Sequence, residues 1–530
     1  MSRNNKNAEP LASLNETLCG LGKVYEDKHS FYRIWLAYIP YVVIYKADLV
    51  EKILQSPTNI QKSGDYHFFR PWIKDCLLLS KGAKWEYRRK LLQPAFHATV
   101  LEQFVPIMKE HTMVLIDKIN HHVSQSGDEK CAVLDTRKLM LPLTFDIICE
   151  TAMGVKMNSQ NEDKSKYIET LNVAVRKILK RIMTPWFWND LVCSLFSPDL
   201  LIHEQMNIIE GFIYSVIRSR RKALLESKQQ QPGDNTETST PLKRKRLAFL
   251  DLLLEHNITD PSKWSEADIE EEMEFFFPAA HETTTESVVW TLFCLGNSTD
   301  CQAAVHREID AIWEQYDLDR EGAQCQLTKS VVWTLFCLGN STDCQAAVHQ
   351  EIDAIWEQYD LDREGAQCQL TSEHLNQMTY LEAVIKEAMR LYPPEAMRLY
   401  PPVVSVGRYI STDIVHESFV IPKGATVCIL IEKLHRDPHF FPKPDAFLPE
   451  RFLDPQAPHL GNSFAYIPFS GGKRNCIGGK MAMKELKIIL SILLRHFSVQ
   501  SLKKLGEIDI DPVIVSMPRG PVDIRYTPRL

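Results

Sequence analysis

A single cysteine lies among glycines in the run Phe469 to Gly479, and the helical pattern Lys480 to Phe497 follows this run directly. The glycines let the backbone bend sharply and let a flat ligand approach closely, while the amides at the start of the next helix favour an anionic sulfur. A lone cysteine is more often a small buried apolar residue, but this setting favours a thiolate at Cys476. A thiolate is the axial ligand that a haem iron needs if the O–O bond is to be split.

A second candidate for chemistry is the run Ala279 to Thr284. It falls inside a long helix predicted to start after Ser265, an N-cap residue with Asp268 three positions on. On a helix, Ala279 and Ala280 share a face with Thr283, so two small side chains open a space beside a hydroxyl. Dioxygen would fit there. Pro278 removes one helical hydrogen bond, so we expect a kink just before this space.

The elements that must position these residues are mostly helical. Strand-like material is limited to Trp35–Tyr45, Val403–Ser411 and Ala425–Leu430. The polar stretch Glu226–Arg246 is predicted to be an exposed loop. The fold class predicted is therefore mainly α with a small β-sheet region. Apolar residues at helical spacing fill Val100–Ile119, Leu141–Met153, Tyr167–Met183, Ile208–Leu225, Leu247–Leu254 and Tyr380–Leu391.

Composition excludes several classes of protein. The chain is 45% apolar and 24% charged, which is typical of a globular protein with a large core. Its 61 basic and 68 acidic residues give a net charge of −7, so no global positive field exists to bind nucleic acid. Thirteen cysteines without a Cys-x-x-Cys pair indicate a reducing compartment. The apolar stretch Ile34 to Tyr45 is too short to span a bilayer, so the chain is expected to lack an N-terminal membrane anchor.

The chain contains two near-identical duplications. Residues 287–328 recur as 330–371, with Arg307 replaced by Gln350 as the one change, and residues 387–394 recur as 395–402. Solenoid repeats drift in sequence and usually number at least three. We therefore interpret the copies as a recent duplication or a gene-model error within one domain spanning residues 1–530.

The cysteine run resembles the haem loop of the cytochrome P450 family, whose pattern is Phe-x-x-Gly-x-Arg-x-Cys-x-Gly. Four further motifs of that family occur in the expected order, so the resemblance covers nearly the whole chain from about Ala12 onward. It implies the cytochrome P450 fold and a haem b whose iron is ligated by Cys476. The fixed loop positions are filled by Phe469, Gly472, Arg474, Cys476 and Gly478.

The resemblance also assigns roles to the other motifs. Trp85 and Arg89, one helical turn apart, would donate to a haem propionate, as would Arg408. Glu282 and Thr283 would form the acid and alcohol pair that relays protons.

A buried ion triad is implied by the remaining two motifs, with Glu387 and Arg390 on one helix and Arg451 in the loop before the cysteine. The alternative is an ordinary surface ion pair. The duplicate pair Glu395 and Arg398 follows two prolines and has no upstream helix, so the first copy is the predicted one.

Two positions depart from the family. Ala280 stands where glycine is usual, and its methyl group narrows the oxygen space. Ala279 stands where the most similar branch carries a glutamate that can form an ester with haem, and alanine cannot form that bond. We therefore predict haem that is bound non-covalently.

These observations predict an enzyme, a haem-thiolate monooxygenase that inserts one atom of O2 into an apolar substrate such as a fatty acid, a hormone-like lipid or a xenobiotic. Lys84–His97 and Glu150–Gly154 resemble the animal branch that includes fatty-acid ω-hydroxylases. The resemblance implies electrons from NADPH–cytochrome P450 reductase, with cytochrome b5 as a further partner, and a place on the cytoplasmic face of the endoplasmic reticulum membrane. The basic side chains Lys473, Lys480, Lys484 and Lys487 would either dock an acidic reductase surface or be ordinary solvated charges.

Two alternatives stay open from the sequence. One is a haem-thiolate isomerase or dehydratase that rearranges peroxides without O2. The other is an inactive duplicated chain that binds haem poorly.

Overall fold

The computed structural model describes residues 20–21, 31–36, 39–127, 130–161, 165–182, 184–229, 249–315, 371–393, 405–416, 419–505, 507–508, 510–512, 516–518 and 520–529. Within them, helices form most of the protein and small sheets lie at its edges. The helices are α1 Ala47–Leu54, α2 Arg70–Ile73, α3 Gly82–Leu92, α4 Ala98–Glu102, α5 Val105–Gln125, α6 Thr136–Met153, α7 Ser165–Ile182, α8 Asp190–Phe196, α9 His203–Gln229, α10 Phe249–Thr259, α11 Glu266–Gly296, α12 Thr299–Gln315, α13 Ser372–Gln377, α14 Thr379–Leu391, α15 Ile431–Leu434 and α16 Gly479–His496.

The strands form four small sheets among the described residues. In the largest, the order is β1-β2-β7-β4, with β2 and β7 parallel and the other pairs antiparallel. A three-stranded sheet has the order β3-β11-β8, and the hairpins β5-β6 and β9-β10 complete the set. The strands are β1 Phe31–Leu36, β2 Ile39–Ile44, β3 Ala132–Asp135, β4 Ser405–Tyr409, β5 Ile414–His416, β6 Phe419–Ile421, β7 Thr426–Leu430, β8 Phe497–Ser501, β9 Ile510–Pro512, β10 Ser516–Pro518 and β11 Asp523–Pro528.

The central element is the long helix α11. It starts with a capping box: the amide of Asp268 donates to the Ser265 hydroxyl, and the amide of Ser265 donates to the Asp268 carboxylate at 2.9 Å. Most of its side chains are buried, because α6, α14, α16 and β8 pack around it. A helix buried on nearly every side suits the middle of a large core. The helix continues through Pro278.

The predicted elements and the observed ones differ in two places. The stretch Trp35–Tyr45 was expected to be one strand, but it spans parts of the antiparallel strands β1 and β2. The first four residues of the loop expected at Glu226–Arg246 belong instead to α9, which runs to Gln229, and residues 230–248 lie outside the described residues. No helix of the described residues is both long enough and apolar enough to cross a membrane.

The first copy of the long duplication supplies the last turns of α11 and all of α12. The first copy follows directly on the buried first half of α11 in the sequence, and this continuity explains why the first copy completes that helix. Residues 316–370 and 394–404, which include most of the second copies, lie outside the described residues. The pair Glu395 and Arg398 is therefore outside them as well.

Candidate functional site

The cysteine loop is a tight structure fixed by its own backbone. The amide of Cys476 donates to the carbonyl of Phe469 at 2.9 Å, and Asn475 donates to the carbonyl of Gly472. Gly472 has a φ of +68°, and a Cβ there would lie 1.8 Å from the carbonyl oxygen of Leu54, so only glycine fits. Gly478 then serves as the N-cap of α16. The loop thus presents Cys476, which is half-buried, beside the start of α16.

Two cavities meet at Cys476 and Ile477. The larger, of about 900 Å³, lies between α11 and α16 and is lined mainly by apolar and aromatic side chains, including Phe96, Phe249 and Phe276. The smaller, of about 510 Å³, is lined by cationic as well as apolar groups. We call the two together the haem slot. Its shape, with an apolar end and a cationic end on either side of a cysteine, matches a flat ligand that carries carboxylates on one edge.

Arg474 organises the cationic end. Its guanidinium donates to the carbonyls of Leu77, Leu78 and Ser80, at 3.2, 3.1 and 2.6 Å. The same group lies 4.3 Å from the centre of the Trp85 ring, a cation–π contact. Arg474 thus connects the cysteine loop to the segment before α3 and to α3 itself.

Arg89 lies on the exposed side of the cationic end. Its guanidinium donates to the backbone carbonyl and the side-chain oxygen of Asn475, at 2.9 and 2.8 Å. Trp85 and Arg89 both line the smaller cavity. The structure therefore brings two of the predicted propionate donors, Trp85 and Arg89, together with Arg474 of the cysteine loop around one space.

Arg408 on β4 is fully buried beside this end. One of its terminal nitrogens donates to the carbonyl of Gly407 at 3.0 Å, and the other has no hydrogen-bond partner among the described residues. The Nε atom of Arg474 is likewise buried without a partner among them. Burial lowers the pKa of Arg408, and burial together with the nearby Arg408 charge lowers the pKa of Arg474 to about 9.

The guanidinium nitrogens of Arg408 and Arg474 that have no partner among the described residues provide a test of whether haem fits the slot. A buried guanidinium that has no carboxylate partner lowers the free energy of unfolding. The two propionates of a haem would supply both the missing acceptors and the missing negative charge. The donor set at this end and the apolar lining at the other fit haem b, with Cys476 placed to ligate its iron.

The segment of α11 that faces the slot contains Ala279, Ala280 and Thr283. The hydroxyl of Thr283 donates to the carbonyl of Ala279 at 2.8 Å. The two alanines leave open space beside this hydroxyl, as the sequence spacing predicts. Of the three phenylalanines before this segment, Phe276 lines the larger cavity and Phe275 the smaller.

Glu282 lies elsewhere, because its side chain is not part of the lining of either cavity. It is buried, one of its oxygens has no partner among the described residues, and burial raises its pKa to about 7 against the attraction of Arg137. Arg137 itself donates to Glu286 at 2.6 Å. The expected pairing of Glu282 with Thr283 at the slot is therefore not seen: adjacent helical positions point in different directions, and only Thr283 faces the cavity.

Glu387, Arg390 and Arg451 come together in a buried cluster. Arg390 donates two hydrogen bonds to the Glu387 carboxylate, at 2.7 and 2.9 Å, and Arg451 donates to the same carboxylate at 3.2 Å. Arg390 and Glu387 are both 0% exposed. The first copy of the duplicated motif thus forms a buried cluster and not a surface ion pair.

This cluster is connected to the cysteine loop. Arg390 donates to the carbonyl of His435 at 3.0 Å, and the His435 ring accepts the amide of Ile467 at 2.9 Å. Ile467 lies two residues before Phe469, whose carbonyl accepts the Cys476 amide. The ion cluster therefore positions the loop that presents the sulfur.

A second ion cluster, around Arg88, was missed from the sequence. Arg88 is 1% exposed and pairs with Glu272, with Glu271 at 2.7 Å and with Asp268. It fixes α3, which carries Trp85 and Arg89, against the first half of α11. The sequence signal for this cluster was the acidic run at the start of α11 together with the adjacent pair Arg88 and Arg89. The sequence alone does not show which of these two arginines is buried.

The four lysines near the cysteine loop differ in exposure. Lys473 and Lys480 are exposed. Lys487 is buried, and it donates to the carbonyl of Leu375 at 2.8 Å and to Glu382 at 2.6 Å, so both alternatives for this lysine, docking of a partner and ordinary solvated charge, are wrong. Lys484 is held by Glu102 at 2.7 Å. The Glu102 carboxylate thereby partly neutralises the charge of Lys484.

Comparisons with known proteins agree with this site. The cytochrome P450 family model matches residues 21–328 and 327–525, two stretches that meet where the first long copy ends. Cytochrome P450 4V2 of Homo sapiens is 33% identical over 497 residues, covering 94% of this chain and 82% of the relative. Cytochrome P450 4c3 of Drosophila melanogaster is 30% identical over 514 residues, covering 96% and 84%. Cytochrome P450 4d2 of the same organism is 31% identical over 474 residues, covering 88% and 81%.

The family match and these relatives span most of the chain, and the residues of the haem slot fit the family's cofactor. The prediction of a mainly helical P450 fold and of a haem cofactor is confirmed. The chain belongs to the cytochrome P450 family, the haem-thiolate monooxygenases.

Proposed function

We propose that this monooxygenase inserts one atom of O2 into a C–H bond of an apolar substrate, with two electrons that come from NADPH. In the balanced reaction, substrate, O2, two electrons and two protons give the hydroxylated product and water. The observation that carries the proposal is the haem slot itself, where one cysteine lies between an apolar cavity and a cavity lined by cationic side chains. Haem supplies the oxygen chemistry when bound, and the protein supplies position and protons.

Cys476 is the proposed iron ligand. The hydrogen bond from its amide to Phe469 and the close approach of Gly472 to Leu54 hold the loop in one shape. Arg474, Trp85, Arg89 and Arg408 are the proposed propionate contacts. Trp85, Arg89 and Arg474 line the same end of the slot. Arg408 and Arg474 each have a buried guanidinium nitrogen without a partner among the described residues.

Thr283 and Glu282 are the proposed proton-handling residues, with different tasks. The Thr283 hydroxyl lies on the slot and can pass on a proton while it remains bonded to Ala279. Glu282 is held out of the slot in a buried site, where it keeps a proton to a higher pH than an exposed glutamate does. A rotation of the Glu282 side chain or bridging water would connect the two.

Electrons are proposed to come from NADPH–cytochrome P450 reductase, with cytochrome b5 as a second donor. The exposed lysines Lys473 and Lys480 flank the cysteine loop and suit an acidic partner surface. The location that we propose, from family resemblance, is the cytoplasmic face of the endoplasmic reticulum membrane. We also propose that residues 1–530 form one P450 domain, in which 330–371 and 395–402 are surplus copies.

The test is turnover by the purified full chain reconstituted with haem and reductase. We expect NADPH-dependent O2 consumption that an apolar fatty acid stimulates, together with a hydroxylated product. Conversion of a lipid hydroperoxide without NADPH or O2 would instead show the isomerase or dehydratase chemistry. A protein that takes up no haem would show that the duplicated chain is inactive.

A further inference from the structure

The segment between α2 and α3 contains a lysine in a backbone conformation that favours glycine. Lys74 has a φ of +47° and a ψ of −124°, and the amide of Cys76 donates to the carbonyl of Ile73 at 3.3 Å. These features define a type II′ β-turn over residues 73–76, with Lys74 at its second position. A residue with a Cβ is strained at that position, where glycine is usual. Contacts outside the turn must therefore hold Lys74 in this conformation.

The side chain of Lys74 makes such contacts. Its ammonium group donates to the carboxylate of Glu274 on α11 at 2.8 Å and lies 3.3 Å from the carboxylate of Glu210 on α9. The Glu274 side chain is 2% exposed, so this ion pair is anchored inside the protein. Burial raises the pKa of Glu274 to about 7 against the attraction of Lys74. Above that pH the carboxylate is mostly charged, and the lysine is clamped between two helices.

The residues that follow this turn form one wall of the haem slot. We call residues 74–80 the strap. Leu77 and Leu78 line the smaller cavity, and three carbonyls of the strap accept the hydrogen bonds of the Arg474 guanidinium. On the other side of the strap, the amide of Leu77 donates to the Glu272 carboxylate of α11 at 2.9 Å. The position of the strap therefore sets where the Arg474 guanidinium lies.

We propose that Lys74 is a positioning residue of the haem site: its ion pair with Glu274 holds a strained turn that fixes the strap, and the strap places Arg474 for a haem propionate. If the ion pair is removed while the strain remains, the turn relaxes and the strap carbonyls move. If the strain is removed together with the ion pair, the turn needs no clamp and the strap stays in place. The inference goes beyond the proposed function, because it concerns the retention of haem and not the reaction that haem performs.

Two substitutions at this one position separate the strain from the charge. Lys74→Ala and Lys74→Gly both remove the ion pair, but only alanine keeps a Cβ in the strained conformation. Haem transfer from the ferric protein to an acceptor protein is measured at pH 8, where Glu274 of the wild type is mostly ionised. We expect Lys74→Ala to speed haem loss by about tenfold, and Lys74→Gly to stay within about twofold of the wild type. Glu226→Gln is the control, since its side chain is 56% exposed, and it should leave the rate unchanged.

Equal rates of haem loss for the alanine and glycine variants would overturn the proposal, because a role through charge alone would not distinguish them. Should Lys74→Ala lose its haem during purification, hydrogen exchange of the full chain in excess haem replaces the transfer assay. The amide of Leu77 should then exchange about tenfold faster in Lys74→Ala than in Lys74→Gly, and equal exchange would contradict the proposal. Neither measurement uses turnover, so a failure to insert oxygen into a substrate would refute the proposed function and leave this inference intact.

Discussion

Replacement of Arg390 by lysine tests whether the buried ion cluster holds the cysteine loop. Arg390 makes two hydrogen bonds to Glu387 and three to the carbonyls of His435, Pro444 and Ala446. A lysine keeps the positive charge, but its three donors sit on one nitrogen and cannot match the planar fork of a guanidinium. At least two of the five bonds must therefore be lost.

The magnitude follows from those bonds. A hydrogen bond to a charged group contributes about 1.5–3 kcal/mol, so the loss of two costs about 3–6 kcal/mol. A folded protein is stable by only about 5–15 kcal/mol in total. Because Arg390 also bonds to His435, whose ring holds Ile467 near the cysteine loop, haem binding should weaken together with stability.

Chemical denaturation and the ratio of haem to protein are the assays for Arg390→Lys. The matched control is Lys156→Gln, which breaks the 2.8 Å pair with Glu110, where both side chains are about 60% exposed. We expect Lys156→Gln to change the free energy of unfolding by roughly 0.5 kcal/mol or less. If Arg390→Lys lowered the free energy of unfolding by less than about 1 kcal/mol and left the ratio of haem to protein unchanged, the role assigned to the cluster would be wrong.

Three further predictions concern the slot. Arg408→Gln should stabilise the protein without haem, because an unpaired buried charge is removed, and should speed haem loss to an acceptor protein by about tenfold or more. Ala279→Glu should make part of the haem resist acid–acetone extraction, whereas wild-type haem should extract fully. Glu282 has a pKa of about 7 when folded, above its ordinary value near 4.5, so the folded state keeps a proton that the unfolded state releases. Stability should therefore fall as pH rises between these values, by up to about 1.4 kcal/mol per pH unit from this group, and Glu282→Gln should lack that component.

The sequence predicted the elements that local pattern determines. The capping box at Ser265, the helix before the proline pair and the glycine-bounded cysteine all follow from short-range chemistry, and the structure has them. The contacts of Arg390 could be inferred only from family resemblance, since their acceptors are backbone carbonyls 45 or more positions away.

Other features depend on packing that no local pattern records. The strand β11 pairs with β3 and β8, which lie far apart in the sequence. Arg88 and Arg89 are adjacent and chemically identical, yet one is buried in carboxylates and the other reaches Asn475. Glu282 and Thr283 are also adjacent, and only the rotation of α11 against α6 and α16 decides which of them faces the slot.

Binding of carbon monoxide to the reduced, haem-loaded protein tests the central claim most directly. Cysteine ligation through Cys476 predicts an absorption band well to the red of the band that histidine-ligated haem gives, and Cys476→His should move the band to the histidine position. A wild-type band at the histidine position, or a spectrum that this substitution leaves unaltered, would contradict the account.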